Sequence, residues 1–244
     1  MNKTNGYFDF HTHILPGVDD GSQSMEETIK MLRIAAKQEI STIIATPHYI
    51  AGESNHSVDK LLLIRDQVQA EADKLELKIN ILLGNELYYS NSILEALKTE
   101  KALTLAGTRY VLVEFSVRDS FDKIYRAMGE FVRAGYTPIL AHVERYLCLH
   151  KREDLVGELV ELGCYIQMNC SSLMGGIFQR EAALNRKLLN QGLVHLLGSD
   201  CHDPSVRIPC MSSLAKQLHR KCNENLINII FQENPMKVLE NKYI

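Results

Sequence analysis

Seven times in succession, an apolar run of strand length is followed by a stretch with helical spacing, and this alternation narrows the possible folds more than any other feature. The runs are Tyr7–His13, Thr42–Pro47, Ile79–Leu87, Tyr110–Phe115, Thr137–His142, Tyr165–Asn169 and Val194–Ser199. Helices are predicted over Met25–Gln38, Val58–Leu75, Ser92–Leu97, Phe121–Arg133, Glu153–Leu162, Glu181–Gln191 and Met211–Lys221, with a last one near Asn225–Phe231. Near-continuous Val, Ile and Leu between helices marks strands covered on both faces, which is the pattern of a parallel sheet. Seven units favour an α/β fold of the distorted (β/α)7, TIM-like barrel kind, although an open doubly wound sheet shares the local signature. No Gly-x-Gly-x-x-Gly or Walker loop follows the first strand, which counts against nucleotide-cofactor folds. The chain has 244 residues without a break in composition, so one domain over residues 1–244 is expected. Ser24 and Glu27 form a capping box for the first helix, and Gly135, Gly163 and Gly192 fall where left-handed C-terminal caps belong.

In a parallel barrel, functional side chains collect at the C-terminal ends of the strands. Those ends carry an unusual set. The first strand ends in His11-Thr12-His13, where strand alternation turns Asp9, His11 and His13 one way and Phe8 and Phe10 the other. Later ends supply His48 in Ala-Thr-Pro-His, Glu86 in Gly-Asn-Glu, Glu114 in Val-Leu-Val-Glu, His142 in Leu-Ala-His, and Asp200 and His202 in Ser-Asp-Cys-His. The first loop adds Asp19 and Asp20.

Any one of these residues taken alone reads as a helix cap or a satisfied polar group. As a set they do not, because carboxylates converging on one mouth repel and take up protons unless cations lie between them. Imidazole with carboxylate and no thiolate suits manganese, iron or zinc. Asp20, Glu86, Glu114 and Asp200 bring four negative charges. Three divalent ions would convert that into a net charge of about +2, a receptor for a phosphate dianion.

The blocks Asp9-Phe10-His11-Thr12-His13-Ile14-Leu15-Pro16, Val18-Asp19-Asp20-Gly21, Ala45-Thr46-Pro47-His48, Asn85-Glu86, Glu114-Phe115, Ala141-His142-Val143-Glu144-Arg145-Tyr146 and Ser199-Asp200-Cys201-His202 run in order through the chain. Together they resemble the PHP (polymerase and histidinol phosphatase) family, and within it the bacterial tyrosine-protein phosphatases of capsule and exopolysaccharide synthesis. The resemblance implies a distorted (β/α)7 barrel with three divalent ions, manganese first and iron or zinc as alternatives. It implies one ion on His11, His13, Glu86 and Asp200, a second on Glu86, Glu114 and His142, and a third on Asp20, His48 and His202. Many members of the family have histidine at the places of Asp20 and Glu114; the acidic versions resemble the tyrosine-phosphatase branch.

The reaction expected is hydrolysis of a phosphomonoester, with Arg145 and Arg207 as candidates to clamp the phosphate bidentately. A salt bridge at the surface is the plainer reading of either arginine. Cys201 to Arg207 also fits Cys-x5-Arg, the spacing of cysteine-dependent tyrosine phosphatases. That loop needs glycine-rich backbone amides, whereas this one has Pro204 and no glycine, so Cys201 is expected to be a bystander. Tyr88 and Tyr89 are placed either at the mouth or in ordinary packing, and His56, His150, His195 and His219 receive no role.

The leading function, as the resemblance implies it, is a metal-dependent protein-tyrosine phosphatase acting on a membrane-associated tyrosine autokinase. The alternatives are a phosphoesterase for a small metabolite or nucleotide, and a silent binding protein that keeps metals for structure. A formal charge of −3 without a Lys/Arg run argues against a nucleic-acid surface. No apolar stretch reaches transmembrane length and no signal-peptide core follows Met1, so a cytoplasmic protein is expected, its oligomeric state not legible. All six cysteines lie between Cys148 and Cys222, none in Cys-x-x-Cys, and read as small buried hydrophobes.

Overall fold

The computed structural model describes residues 6–175, 179–220 and 223–244. Its strands are β1 (Tyr7–Thr12), β2 (Ile40–Ala45), β3 (His48–Ile50), β4 (Asn80–Leu83), β5 (Glu86–Tyr88), β6 (Tyr110–Glu114), β7 (Thr137–Leu140), β8 (Tyr165–Asn169) and β9 (Leu196–Gly198). The helices are α1 (Met25–Lys37), α2 (Val58–Lys74), α3 (Ile93–Lys98), α4 (Phe121–Arg133), α5 (Glu153–Glu161), α6 (Cys170–Leu173), α7 (Arg180–Asn190), α8 (Met211–Leu218), α9 (Glu224–Asn228) and α10 (Asn234–Leu239). Every strand pair is parallel, in two sheets ordered β1-β2-β4 and β3-β5-β6-β7-β8-β9.

One predicted strand is followed by a short unforeseen one and another is broken in two, and the two interruptions are level. The run Thr42–Pro47 stops at Ala45 and resumes at His48, because Pro47 has no N–H for the ladder. Ile79–Leu87 breaks beside it at Gly84-Asn85, where the Asn85 side-chain amide donates to the Pro47 carbonyl (2.9 Å) and accepts from the Leu103 amide (2.8 Å). β2 thus continues as β3 and β4 as β5, leaving seven strand positions. The outer edges also meet: the Asp200 amide donates to the His11 carbonyl (2.7 Å), the His13 amide to the Cys201 carbonyl (2.9 Å), and Thr12 bridges Cys201. These bonds return the seventh position to the first, in the manner of a distorted barrel. A side chain at Gly198 would put its Cβ 2.5 Å from that of His11, so only glycine admits this approach.

Phe8, Phe10, Ile44, Tyr110, Leu112, Ile139 and Leu196, drawn from all round this ring, pack as one apolar cluster. A larger one joins Ile43, Ile81, Val113, Ile166 and Leu197 to the helices, including Met31, Val68, Phe131 and Leu159. The Ser24 hydroxyl caps the Glu27 amide, while the Glu27 carboxylate reaches the Gln23 amide rather than that of Ser24. Gly135, Gly163 and Gly192 all adopt positive φ, as their capping positions predict.

The C-terminal end differs from expectation. The helix predicted near Asn225–Phe231 is α9, a π-turn over Ile229–Glu233 and then α10. Pro235 lies in the first turn of α10, where a missing N–H costs nothing. α6 was not foreseen. Lys221, at the predicted end of α8, lies outside the described residues, as does Cys222. The other five cysteines are free, with Cys164, Cys170 and Cys201 buried.

Candidate metal centre

The eight side chains singled out at the strand ends, together with Asp20 of the first loop, meet at one end of the ring. Glu86 is the hub. It is 1% exposed, with Oε2 3.0 Å from His11 Nε2, 3.2 Å from His13 Nε2 and 3.2 Å from His48 Nδ1. Its Oε1 lies 3.0 Å from His142 Nε2, which is also 3.2 Å from Glu114 Oε1. On the other flank, Asp20 Oδ1 is 3.4 Å from the Nε2 of both His48 and His202. Asp200 Oδ1 is 3.5 Å from His11 Nε2 and 3.4 Å from His202 Nδ1.

Local structure explains the convergence. The paired breaks after β2 and β4 set His48 opposite Glu86 in register, and β6 brings Glu114 opposite Tyr88. His142 (φ 32°) and Asp200 (φ 51°) take the left-handed conformation just past β7 and β9. For residues with a Cβ this is strain, of the kind that surrounding structure must impose. His11 and His13 share a face as alternation predicts, but Asp9 does not join them. β1 loses register between Asp9 and Thr12, and the Asp9 carboxylate turns to accept from the Ser199 amide (2.8 Å).

A set of positioning residues surrounds the cluster. Asp19 accepts from His13 Nδ1 (2.7 Å), the Gly21 amide (2.9 Å) and the His48 amide (3.1 Å). Gln167 Oε1 accepts from the His142 amide (2.7 Å) and lies 3.2 Å from His11 Nδ1, while Asn169 Nδ2 donates to Asp200 Oδ2 (3.0 Å). Gln167 and Asn169 were not anticipated. Their only signal is the polar i, i+2 pair in the buried strand Tyr165-Ile166-Gln167-Met168-Asn169, and nothing local ties it to a partner.

The electrostatics fit cations. Burial disfavours a charged His13, but hydrogen bonds to Asp19 and Glu86 outweigh it and hold the ring up at about 10. His142 behaves alike: burial is overcome by Glu114 and Glu86, and the ring is held up to about 9. Burial opposes ionisation of Asp200 too, yet His11, Arg145 and His13 keep its carboxyl well below the usual range. Burial and the His13 charge push His202 down to about 4. The carboxylates therefore favour protons on His13 and His142, and divalent cations would displace those protons and take their place. Donor atoms of His13, Asp20, His48 and His202 lie within 4.8 Å of one another, as do those of His11, His13 and Asp200, and of His48, Glu86 and Glu114. His48 faces both sides, Nε2 toward Asp20 and Nδ1 toward Glu86.

The centre opens into a cavity of about 510 Å³ lined also by Tyr49, Ile50, Asn55, His56 and Tyr88. Arg145 and Arg207 stand at its edge, each donating from Nη2 to Asp200 Oδ2. Tyr89 instead stacks on Phe115 and donates to Glu130 (3.1 Å), which is packing. His150 lies 3.7 Å from Glu181, half-buried His195 packs edge-on against Tyr165, and His219 caps the end of α8, all outside the centre. Cys201 is fully buried, its thiol pushed up by burial, with Sγ donating to the Asp203 carbonyl (3.6 Å).

Fold and site together define an all-parallel α/β protein with a cluster of imidazoles and carboxylates suited to metal at one mouth. The chain belongs to the capsular polysaccharide synthesis CpsB/CapC family, whose model matches residues 7–240. It is 34% identical over 241 residues to the tyrosine-protein phosphatase CpsB of Streptococcus agalactiae serotype V, covering 97% of this chain and 99% of that protein. It is 32% identical over 203 residues to the tyrosine-protein phosphatase YwqE of Bacillus subtilis, covering 82% and 78%. A solved structure from work on YwqE of B. subtilis and CpsB of Streptococcus pneumoniae, described as metal-dependent tyrosine phosphatases, aligns with a TM-score of 0.90 and 29% identity over 97% of this chain and 96% of that one. A histidinol phosphate phosphatase from Lactococcus lactis shares the fold, with a TM-score of 0.59 and 15% identity over 88% and 93% of the two chains.

Proposed function

We propose that this chain is a metal-dependent protein-tyrosine phosphatase that hydrolyses phosphotyrosine on a membrane-associated tyrosine autokinase of capsule or exopolysaccharide synthesis. The supporting observation is the convergence of nine imidazole and carboxylate side chains beside two arginines in a family whose named relatives are tyrosine-protein phosphatases. Three divalent ions, manganese first, would be held by His11, His13, Glu86 and Asp200; by Glu86, Glu114 and His142; and by Asp20, His48 and His202. When bound, such ions lower the pKa of water and stabilise negative charge on phosphoryl oxygens.

The side chains do the rest. Arg145 and Arg207 bind the phosphoryl oxygens, orient phosphorus toward the cluster and stabilise charge in the transition state. Asp19 keeps the His13 ring in one tautomer, and Gln167 does the same for His11. A phenolate is a fair leaving group, so the absence of an assigned general acid is tolerable. No helix among the described residues is long and apolar enough to cross a membrane, consistent with a cytoplasmic enzyme that meets its kinase at the membrane surface.

The test pairs elemental analysis with turnover. The purified chain should carry about three divalent ions and release phosphate from a phosphotyrosine peptide faster than from histidinol phosphate or a nucleotide. Chelation should abolish turnover and manganese restore it. Turnover that survives chelation overturns the metal mechanism, and a preference for either small substrate overturns the protein-phosphatase reading.

A further inference from the structure

Four of the eight large apolar side chains exposed among the described residues lie on loops that also carry centre residues: Val117 (42%), Leu147 (67%), Val206 (82%) and Ile208 (40%). Val117 follows Glu114, Leu147 follows Arg145, and Val206 and Ile208 flank Arg207. The Leu147 amide donates to the Val117 carbonyl (3.0 Å), so those two loops are joined. Arg145 and Arg207 meet on Asp200 Oδ2, which brings the Val206 loop against the same edge. The exposure of Val206 is built rather than accidental. The Asp203 carboxylate accepts from the Ser205 amide and hydroxyl, the Val206 amide (2.6 Å) and the Arg207 amide, fixing the turn that presents it. The cavity lining itself includes the polar side chains of Glu53, Ser54, Asn55 and His56.

We propose that Val117, Leu147, Val206 and Ile208 form a docking rim for apolar side chains of the polypeptide flanking the phosphorylated residue. This rests on the phosphatase reading above and assigns its substrate class more narrowly. The cavity of about 510 Å³ takes one phosphorylated side chain, so the neighbouring residues of a protein substrate must cross its edge. The rim is continuous with the two arginines that would hold the phosphate, so the anchor and the flanking residues bind as one unit. Exposed Arg118, next to Val117, adds a cation for an acidic residue at the border. Apolar side chains clustered at such an edge are characteristic of a surface that becomes covered on binding.

The test is binding to the manganese-loaded full chain, read by fluorescence anisotropy. The probes are labelled peptides bearing a non-hydrolysable phosphonate analogue of phosphotyrosine, flanked by leucines or by serines. The wild type should bind the leucine-flanked peptide about tenfold more tightly, and Leu147→Ser with Val206→Ser should remove that advantage. Hydrolysis of p-nitrophenyl phosphate should be unchanged in the double variant, which also shows that it folds. Equal affinities for the two peptides, or no loss in the variant, overturn the rim. So does a dimer that the variant converts to monomer with peptide binding unchanged, which would make this face a contact between copies. Absence of p-nitrophenyl phosphate turnover in the wild type would overturn the phosphatase reading, while the anisotropy comparison still decides the rim.

Discussion

Arg145 and Arg207, far apart in the chain, both place a guanidinium Nη2 on the same oxygen of Asp200. Each side chain is about one-third exposed, 36% and 37%, so both remain reachable from the cavity. One buried carboxylate thus aligns two cations at the edge of the cluster. An incoming phosphate dianion offers three oxygens where Asp200 offers one.

Arg145→Ala and Arg207→Ala should each lower kcat/KM for a phosphotyrosine peptide by about 10² to 10³, with lysine recovering only part because it lacks the planar fork. Metal content by elemental analysis should stay at the wild-type level. A variant that loses metal in step with activity would assign its arginine to holding Asp200 in place instead of binding phosphate.

Asp19 is predicted to act through His13. Burial opposes its ionisation, but hydrogen bonds from His13 and the Gly21 and His48 amides keep its carboxyl down at about 2. Asp19→Ala should raise the manganese concentration needed for half-maximal activity by about 10- to 100-fold, with saturating metal restoring most of kcat. An unchanged metal titration would remove Asp19 from the centre.

Cys201 is in the position that a cysteine mechanism would use, but it is buried among apolar groups and its thiol is pushed up, the reverse of an activated nucleophile. Cys201→Ser should keep activity within about threefold of wild type, and iodoacetamide should leave the wild type active. Loss of all turnover in a folded, metal-replete Cys201→Ser protein would reinstate the thiol.

His195 supplies a pH dependence of stability remote from the centre. Burial lowers its ring to about 4, and its Nδ1 accepts from the Ile166 amide (3.2 Å), which only the neutral ring can do. Its folded pKa lies below the ordinary 6.5, so the unfolded chain binds the proton more readily between pH 6.5 and 4. The stabilisation is complete above about pH 6.5 and is lost as pH falls, by up to about 3 kcal/mol near pH 4. Thermal melts should show this slope, and His195→Asn, which keeps an acceptor but cannot titrate, should flatten it.

Much of this protein was legible without coordinates because its signals are local. The apolar runs of β1, β6 and β8 and the caps at Ser24, Gly135, Gly163 and Gly192 depend on a few neighbouring residues. So does the placing of imidazoles and carboxylates at strand ends. The breaks at Pro47 and Gly84-Asn85 were missed because each is modest alone. They matter through each other, since Asn85 bridges the two strands at the level where both ladders fail. Asp9 was misplaced because period-two alternation assumes an unbroken ladder, and β1 shifts register to meet its neighbour.

By itself, the sequence determined the α/β class, the order of the strand–helix units and the chemical types delivered to one end of the strands. Tertiary structure decided which groups meet: Glu86 among four histidines, two arginines on Asp200, and Gln167 and Asn169 beneath them. It also decided that Arg145 and Arg207, from loops far apart in the chain, line one cavity. Periodicity and capping follow from backbone geometry over a single turn or pleat. Contacts between residues scores of positions apart follow from register and ring closure, which no short stretch of chain encodes.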